Sequence, residues 1–185
     1  MAQHVTMAEC MAALPHVLDA PKAGKVETLC FRPDYLQREY PETLEVTVEG
    51  GIKDERWLKA PWLTLEDGAP DPRIQVSILP QRVMDLCWLD REGSPHPGDT
   101  IVTDMDLSEA NLPVGTRLKV GTAVLEVSDK FNNGCIKWRD RYGAESLHWL
   151  NKKEHRPMRL RGVLCKIVQD GELRLGAPIE VLRAE

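Results

Sequence analysis

The stretch Arg117-Leu118-Lys119-Val120-Gly121-Thr122-Ala123-Val124-Leu125-Glu126-Val127 decides the fold class. Two short apolar runs flank Gly121-Thr122, a two-residue connection with glycine first, and that pattern predicts a β-hairpin. The same grammar recurs on both sides. Downstream, residues 163–169 and 172–175 flank Asp170-Gly171, a second hairpin signal, and Gly176-Ala177-Pro178 turns the chain into a last strand at 179–182. Upstream, Leu44, Val46 and Val48 alternate with Glu45, Thr47 and Glu49, the period-two signature of a half-buried strand. Residues 26–32 and 74–79 are further strand candidates, the second ended by Pro80.

Helical signals are fewer. Thr6 with Glu9 three residues later forms a capping box that starts a short helix, which Pro15 is expected to end or bend. Residues 140–150 read as the best internal helix, with Tyr142, Leu147 and Leu150 on one face. Residues 60–72 and 93–98 are Pro- and Gly-containing loops long enough to line a site. Many short strands with turn signals and few helices predict a mainly β fold, a β-barrel or sandwich with peripheral α-helices. Pro21 and Gly24 mark a linker, so residues 1–24 are expected to be a helical appendage and 25–185 the β domain.

Composition narrows the function classes. The chain has 185 residues, 42% hydrophobic and 29% charged, which is globular composition. No apolar run approaches the roughly 18 residues that span a bilayer, and the N-terminus lacks a signal-peptide pattern, so a cytoplasmic location without membrane contact is expected. The five cysteines, at 10, 30, 87, 135 and 165, are odd in number and contain no CxxC pair, which disfavours a disulfide framework or a structural zinc site. A net charge of −5 argues against nucleic-acid binding. The charge is uneven, however. Between Lys130 and Arg161, nine Lys/Arg face three acids, a surplus of six, so the remainder carries −11. A local basic field suits a small anionic ligand, although a solvated basic face has the same composition.

The chemistry is concentrated in Lys130-Phe131-Asn132-Asn133-Gly134-Cys135-Ile136-Lys137-Trp138, directly after the hairpin. Gly134 permits close backbone approach. Asn132 and Asn133 offer donors and acceptors. Lys130 and Lys137 would favour the thiolate of Cys135, the form that attacks electrophiles and ligates metals. One thiolate cannot hold a structural zinc, but it can complete a soft metal whose other ligands come from a cofactor. A cysteine near a strand end is otherwise a small buried apolar side chain, so accessibility separates the two readings.

Several segments together resemble the MOSC (molybdenum-cofactor-sulfurase C-terminal) family. They are Gly98-Asp99-Thr100-Ile101, the run from Asp106-Leu107-Ser108 through Pro113-Val114-Gly115 to Leu118, Ala123 to Val127, Gly134-Cys135, and upstream Gly50-Gly51-Ile52-Lys53-Asp54-Glu55-Arg56-Trp57. The closing segment 168–178 resembles the family's final hairpin. Three positions depart from the common pattern: Thr100 stands where relatives carry Asn, Asn132 or Asn133 where they carry His, and Glu55 separates Asp54 from Arg56.

The resemblance implies a predominantly β barrel of the MOSC, pyruvate-kinase-barrel-like kind. It further implies that Cys135 is the catalytic residue and metal ligand, binding molybdenum or carrying a sulfur destined for it. The metal would be held by the dithiolene of a molybdopterin, whose phosphate needs cations. Arg56 matches the family's arginine for that phosphate, and Asn132, Asn133, Gly134 and Lys137 are the other cofactor-binding candidates. Family members of this kind reduce N-hydroxylated small molecules with electrons from other proteins, or carry sulfur. The implied partners are therefore a small-molecule substrate and an external redox or sulfur-donor protein, with oligomerisation open. Any pyridoxal phosphate would belong to a partner sulfurase. The alternative reading is a non-enzymatic module that binds an anionic metabolite or hands over the cofactor.

The remaining candidates carry less. Trp57 and Trp62 flank the Pro-rich loop and read as core or rim aromatics. His148 and His155 do not form a HExxH-type pair. Asp104, Asp106 and Glu109 form an acidic cluster of the kind that caps turns.

Overall fold

The computed structural model describes residues 3–183. Eleven strands form among them: β1 Gly24–Lys25, β2 Thr28–Leu29, β3 Thr43–Thr47, β4 Gly51–Ile52, β5 Val76–Pro80, β6 Ile101–Thr103, β7 Arg117–Val120, β8 Ala123–Phe131, β9 Val163–Gln169, β10 Gly171–Arg174 and β11 Pro178–Leu182. Four α-helices accompany them: α1 Met7–Leu18, α2 Gln81–Cys87, α3 Ile136–Tyr142 and α4 Ala144–Leu150.

Eight strands make a curled sheet in the order β1-β11-β7-β8-β9-β5-β6-β2, and β10-β3-β4 form a second sheet of three. The architecture is thus mainly β, a half-barrel with outer helices. Only β5 and β6 pair in parallel. Alternation explains the packing: in β3, Leu44 and Val46 are buried while Thr43 and Glu45 are exposed and Thr47 is half-buried. They join Ile52 and Leu173 of the small sheet, and Val76, Ile78, Leu118, Leu125 and Ile167 of the large one, in one core.

A second apolar cluster lies under the helices, where Cys10 and Val17 of α1 meet Val83, Trp138, Tyr142 and Trp149. Burial of this face sustains α1 beyond what its length would support alone. Its Thr6–Glu9 capping box forms, but the helix continues through Pro15 to Leu18 rather than ending there. No helix among the described residues is long and apolar enough to cross a membrane.

The 117–127 hairpin forms as predicted, pairing Arg117 with Glu126 and Val120 with Ala123. The second predicted hairpin does not. β10 follows β9 after a single residue, yet pairs with β3, not with β9. Neither Asp170 nor Gly171 adopts the positive φ that a tight Asp-Gly turn requires. Instead the Asp170 carboxylate accepts from the Val48 amide at 2.7 Å, and the chain passes from one sheet to the other.

Two other expectations shift. The 26–32 strand is divided between β2 and an isolated Phe31–Glu39 bridge. The 140–150 helix is two helices, because Gly143 has φ 93° and ends α3. The acidic cluster does stabilise turns: Asp104 pairs with Arg82, and Asp106 accepts from Lys22 and the Ser108 amide.

Where β9 crosses to β10, the Glu172 carbonyl accepts from the Thr122 amide at 3.1 Å. Gly121 has φ +61°, and a Cβ there would stand 2.2 Å from that carbonyl oxygen. Gly121→Ala therefore opposes both the turn and the crossing, and should lower stability by about 2–4 kcal/mol. At Gly115, φ is +87° with open space around it, so Gly115→Ala should cost only about 1–2 kcal/mol. Urea unfolding of both variants tests this difference, and equal losses would show that the crossing contact is unimportant.

Candidate functional site

β8 is the longest strand, and the loop beyond it leads into α3 with Cys135 at the helix N-cap. That loop is held from behind. Asn151 clamps the Gly134 peptide, its Oδ1 accepting from the Gly134 amide and its Nδ2 donating to the Gly134 carbonyl, each at 3.0 Å. Asn132 Nδ2 donates to the Arg161 carbonyl at 3.0 Å. Gly134 itself is buried, and a Cβ there would meet Leu147 Cδ1 at 2.6 Å. Its small size thus serves packing on α4.

The thiol of Cys135 is exposed, whereas Cys10, Cys30, Cys87 and Cys165 are buried and unpaired. Burial raises Cys10 to about 11 and Cys30 and Cys165 to about 12, which holds them as inert thiols.

Cys135 opens onto a cavity of about 510 Å³. Arg56, Asn132, Asn133 and Lys137 line the same cavity. Of the predicted residues only Gly134 lies behind its wall, and Lys130 turns to a separate, smaller cavity. Arg56 and Lys137 approach from different elements and both stand over the exposed ring of Tyr35, at 5.6 and 5.2 Å from its centroid. Trp62 lies at the rim, 68% exposed, while Trp57 belongs to the core.

Four further arginines, at 32, 38, 141 and 161, complete the lining. The Glu55 carboxylate, 1% exposed, accepts from Arg32 Nε at 3.0 Å and from the Arg32 amide at 2.7 Å. Asp99, also buried, accepts from Arg161 at 2.8 Å. The Arg161 guanidinium stacks at 5.0 Å over Trp138.

The other cations are not neutralised in this way. Arg38 is held by backbone carbonyls only, those of His96 at 2.6 Å and Leu36 at 3.0 Å. Burial and then the nearby Arg141 charge lower its pKa. Among the described residues Arg38, Arg56, Arg141 and Lys137 make no ion pair, and Asp34 is the only other acid lining the cavity. The cavity therefore has a strong surplus of positive charge in a partly desolvated place, the electrostatic condition for binding an anion. One acceptor remains free, since Asp99 Oδ2 is buried without a partner.

Residues 94–180 match the model of the MOSC domain. The match covers 87 of the 185 residues, and that stretch carries the MOSC domain. Its fold is shared by the YuaD protein from Bacillus subtilis, with a TM-score of 0.63 at 20% identity over 88% of this chain and 97% of that one. YiiM from Geobacillus stearothermophilus gives 0.56 at 16% identity, covering 86% of this chain and 75% of the other. YiiM from Escherichia coli gives 0.55 at 15% identity, covering 87% and 71%. No curated protein matches the sequence. The matched MOSC region contains Asp99, Cys135, Arg141 and Arg161, while Arg32, Arg38 and Arg56 come from the preceding segment.

Within the MOSC region, His96 braces the cavity's 93–98 loop. It is 4% exposed, and its ring meets those of Trp88 and Tyr40 edge-on. Its Nδ1 accepts from the Gly98 amide at 3.0 Å, so the neutral ring carries its proton on Nε2, which is buried without a partner. Burial lowers its pKa to about 4. An unfolded imidazole titrates near 6.5, so between about pH 6.5 and 4 the unfolded chain binds the extra proton and stability falls as pH falls. The loss should reach on the order of 2–3 kcal/mol by pH 4. Urea midpoints between pH 7 and 4.5 should show this slope in wild type and a shallower one in His96→Gln; equal slopes would refute the assignment.

Proposed function

We propose that this MOSC protein binds a molybdenum–pterin cofactor in the 510 Å³ cavity and uses it in reduction of a small substrate or in sulfur transfer. The observation that supports this most is the meeting of Cys135 and Arg56, far apart in sequence, on one cation-rich cavity.

The donor set suits that cofactor. No group of three or more His, Cys, Asp or Glu among the described residues could hold an ion unaided. A metal at Cys135 must therefore bring most of its ligands with it, as a dithiolene does. The Cys135 thiolate supplies the protein ligand. Arg56 and Lys137, with Arg38 and Arg141, hold the phosphate, and Asp99 Oδ2 offers an acceptor for ring N–H donors. Asn132 and Asn133 add adaptable polar contacts at the same wall. When bound, the cofactor supplies two-electron oxygen- or sulfur-transfer chemistry. The chain's own task is to orient it, shield it, and present its metal to substrate. Electrons come from a separate protein, because the chain has no cysteine set for an iron–sulfur cluster.

Metal and pterin analysis of protein made in a molybdenum-competent host tests this. Wild type should carry about one molybdenum and one pterin per chain. Cys135→Ser should lose molybdenum while still binding pterin phosphate. Arg56→Ala should weaken pterin binding roughly 10- to 150-fold, the worth of one charge-assisted hydrogen bond. Wild type free of both components under these conditions would refute the proposal. Ligand loss in Arg56→Ala with Cys135→Ser unaffected in metal and ligand content would favour the plain binding module.

A further inference from the structure

A smaller cavity of about 100 Å³ lies beside the first and shares Phe131, Asn132 and Leu164 with it. Three cations line it: Lys130, Arg156 and Arg159. The facing acids are Glu109 and Asp129, and Asp129 is already within 3.4 Å of Arg73.

Arg159 is the unusual member. Its side chain is buried, the residue being only 6% exposed, and it makes no ion pair among the described residues. Its hydrogen-bond acceptor there is the Leu112 carbonyl, whereas a guanidinium carries five N–H donors. The residue also stands in the left-handed region, with φ 49° and ψ 48°, a conformation disfavoured for arginine. Arg156 packs its guanidinium 4.6 Å from the Phe131 ring centroid and so is aimed at the same wall.

Glu109 offsets the Arg159 charge only in part and makes no ion pair with it among the described residues, and a buried cation so incompletely compensated is costly. Two more cations converge on it, which raises that cost unless an anion enters. The available space is several waters' worth, enough for one tetrahedral oxyanion and too small for an organic phosphate to enter whole. We infer that this cavity is a binding site for a free inorganic oxyanion of the sulfate or phosphate type, held by Arg159 from within and by Arg156 and Lys130 at the mouth. The site is independent of the cofactor reading. Its anion would neutralise the wall that carries Phe131 and Asn132 toward the larger cavity.

Thermal unfolding of the full chain at matched ionic strength, in sodium chloride and in sodium sulfate, tests the inference. Sulfate stabilises many proteins without a site, so the quantity read is the difference between variants. At about ten times its Kd, sulfate should raise the Tm of wild type and Arg56→Ala by roughly 3–5 °C more than that of Arg156→Ala. Arg156 is exposed, so its removal spares the fold. Arg159→Met should lose the same increment. Inorganic phosphate should show the same Arg156-dependent increment as sulfate, whereas phenyl phosphate, acting only through the larger cavity, should raise wild type and Arg156→Ala equally. Equal rises in wild type and Arg156→Ala would overturn the site. An increment lost in Arg56→Ala and kept in Arg156→Ala would assign the anion to the larger cavity instead. A phenyl phosphate effect that is lost in Arg156→Ala would reject the free-oxyanion assignment.

Discussion

Two buried carboxylates, Glu55 and Asp99, organise the cation-rich cavity. A carboxylate out of water must keep a partner, so each holds an arginine, Arg32 and Arg161, at the cavity wall. These pairs tie the segment before β3 to the turn after β4, and the 93–99 loop to the start of β9. The remaining cations, Arg38, Arg56, Arg141 and Lys137, are brought together by these frames without neutralisation. Their mutual repulsion is the electrostatic state that an anionic ligand relieves.

The sheet decides where that charge is placed. β8 pairs with β7 on one side and β9 on the other, and its register with β9 shifts between Val127 and Phe131. Residues 128–130 bulge there against the single residue 164, Phe131 pairs again with Val163, and the chain then runs on through residues 132–135 at the cavity. Asn151, from the end of α4, then fixes the Gly134 peptide. The thiol of Cys135 is thus presented by a strand, a clamped peptide and a helix start, and not by a free loop.

The basic segment 130–161 shows how composition and structure divide the information. Its charge surplus is plain in the chain, but it serves two places. Lys137, Arg141 and Arg161 turn to the larger cavity, while Lys130, Arg156 and Arg159 turn to the smaller one. Arg139 and Lys152 pair with Asp140 and Glu154 at the surface. Cys135, Asn132, Asn133, Arg56 and Lys137 were legible because they fall in compact motifs. Arg32 and Arg38 were not: they lie in a segment without a strong pattern, and only the Glu55 contact and the His96 carbonyl orient them. Asp99 stood in a recognisable Gly-Asp-Thr turn, but nothing local marks one of its oxygens as unpartnered.

The mainly β class, the 117–127 hairpin and the capped N-terminal helix follow from the chain alone, because alternation, turn chemistry and capping act over a few neighbouring residues. The pairing of β10 with β3, the break at Gly143 and the division of cations between two cavities do not. Each depends on which distant surfaces compete for the same backbone and charge: Val48 takes the Asp170 carboxylate, and buried carboxylates select among arginines. Only folding brings those competitors within reach.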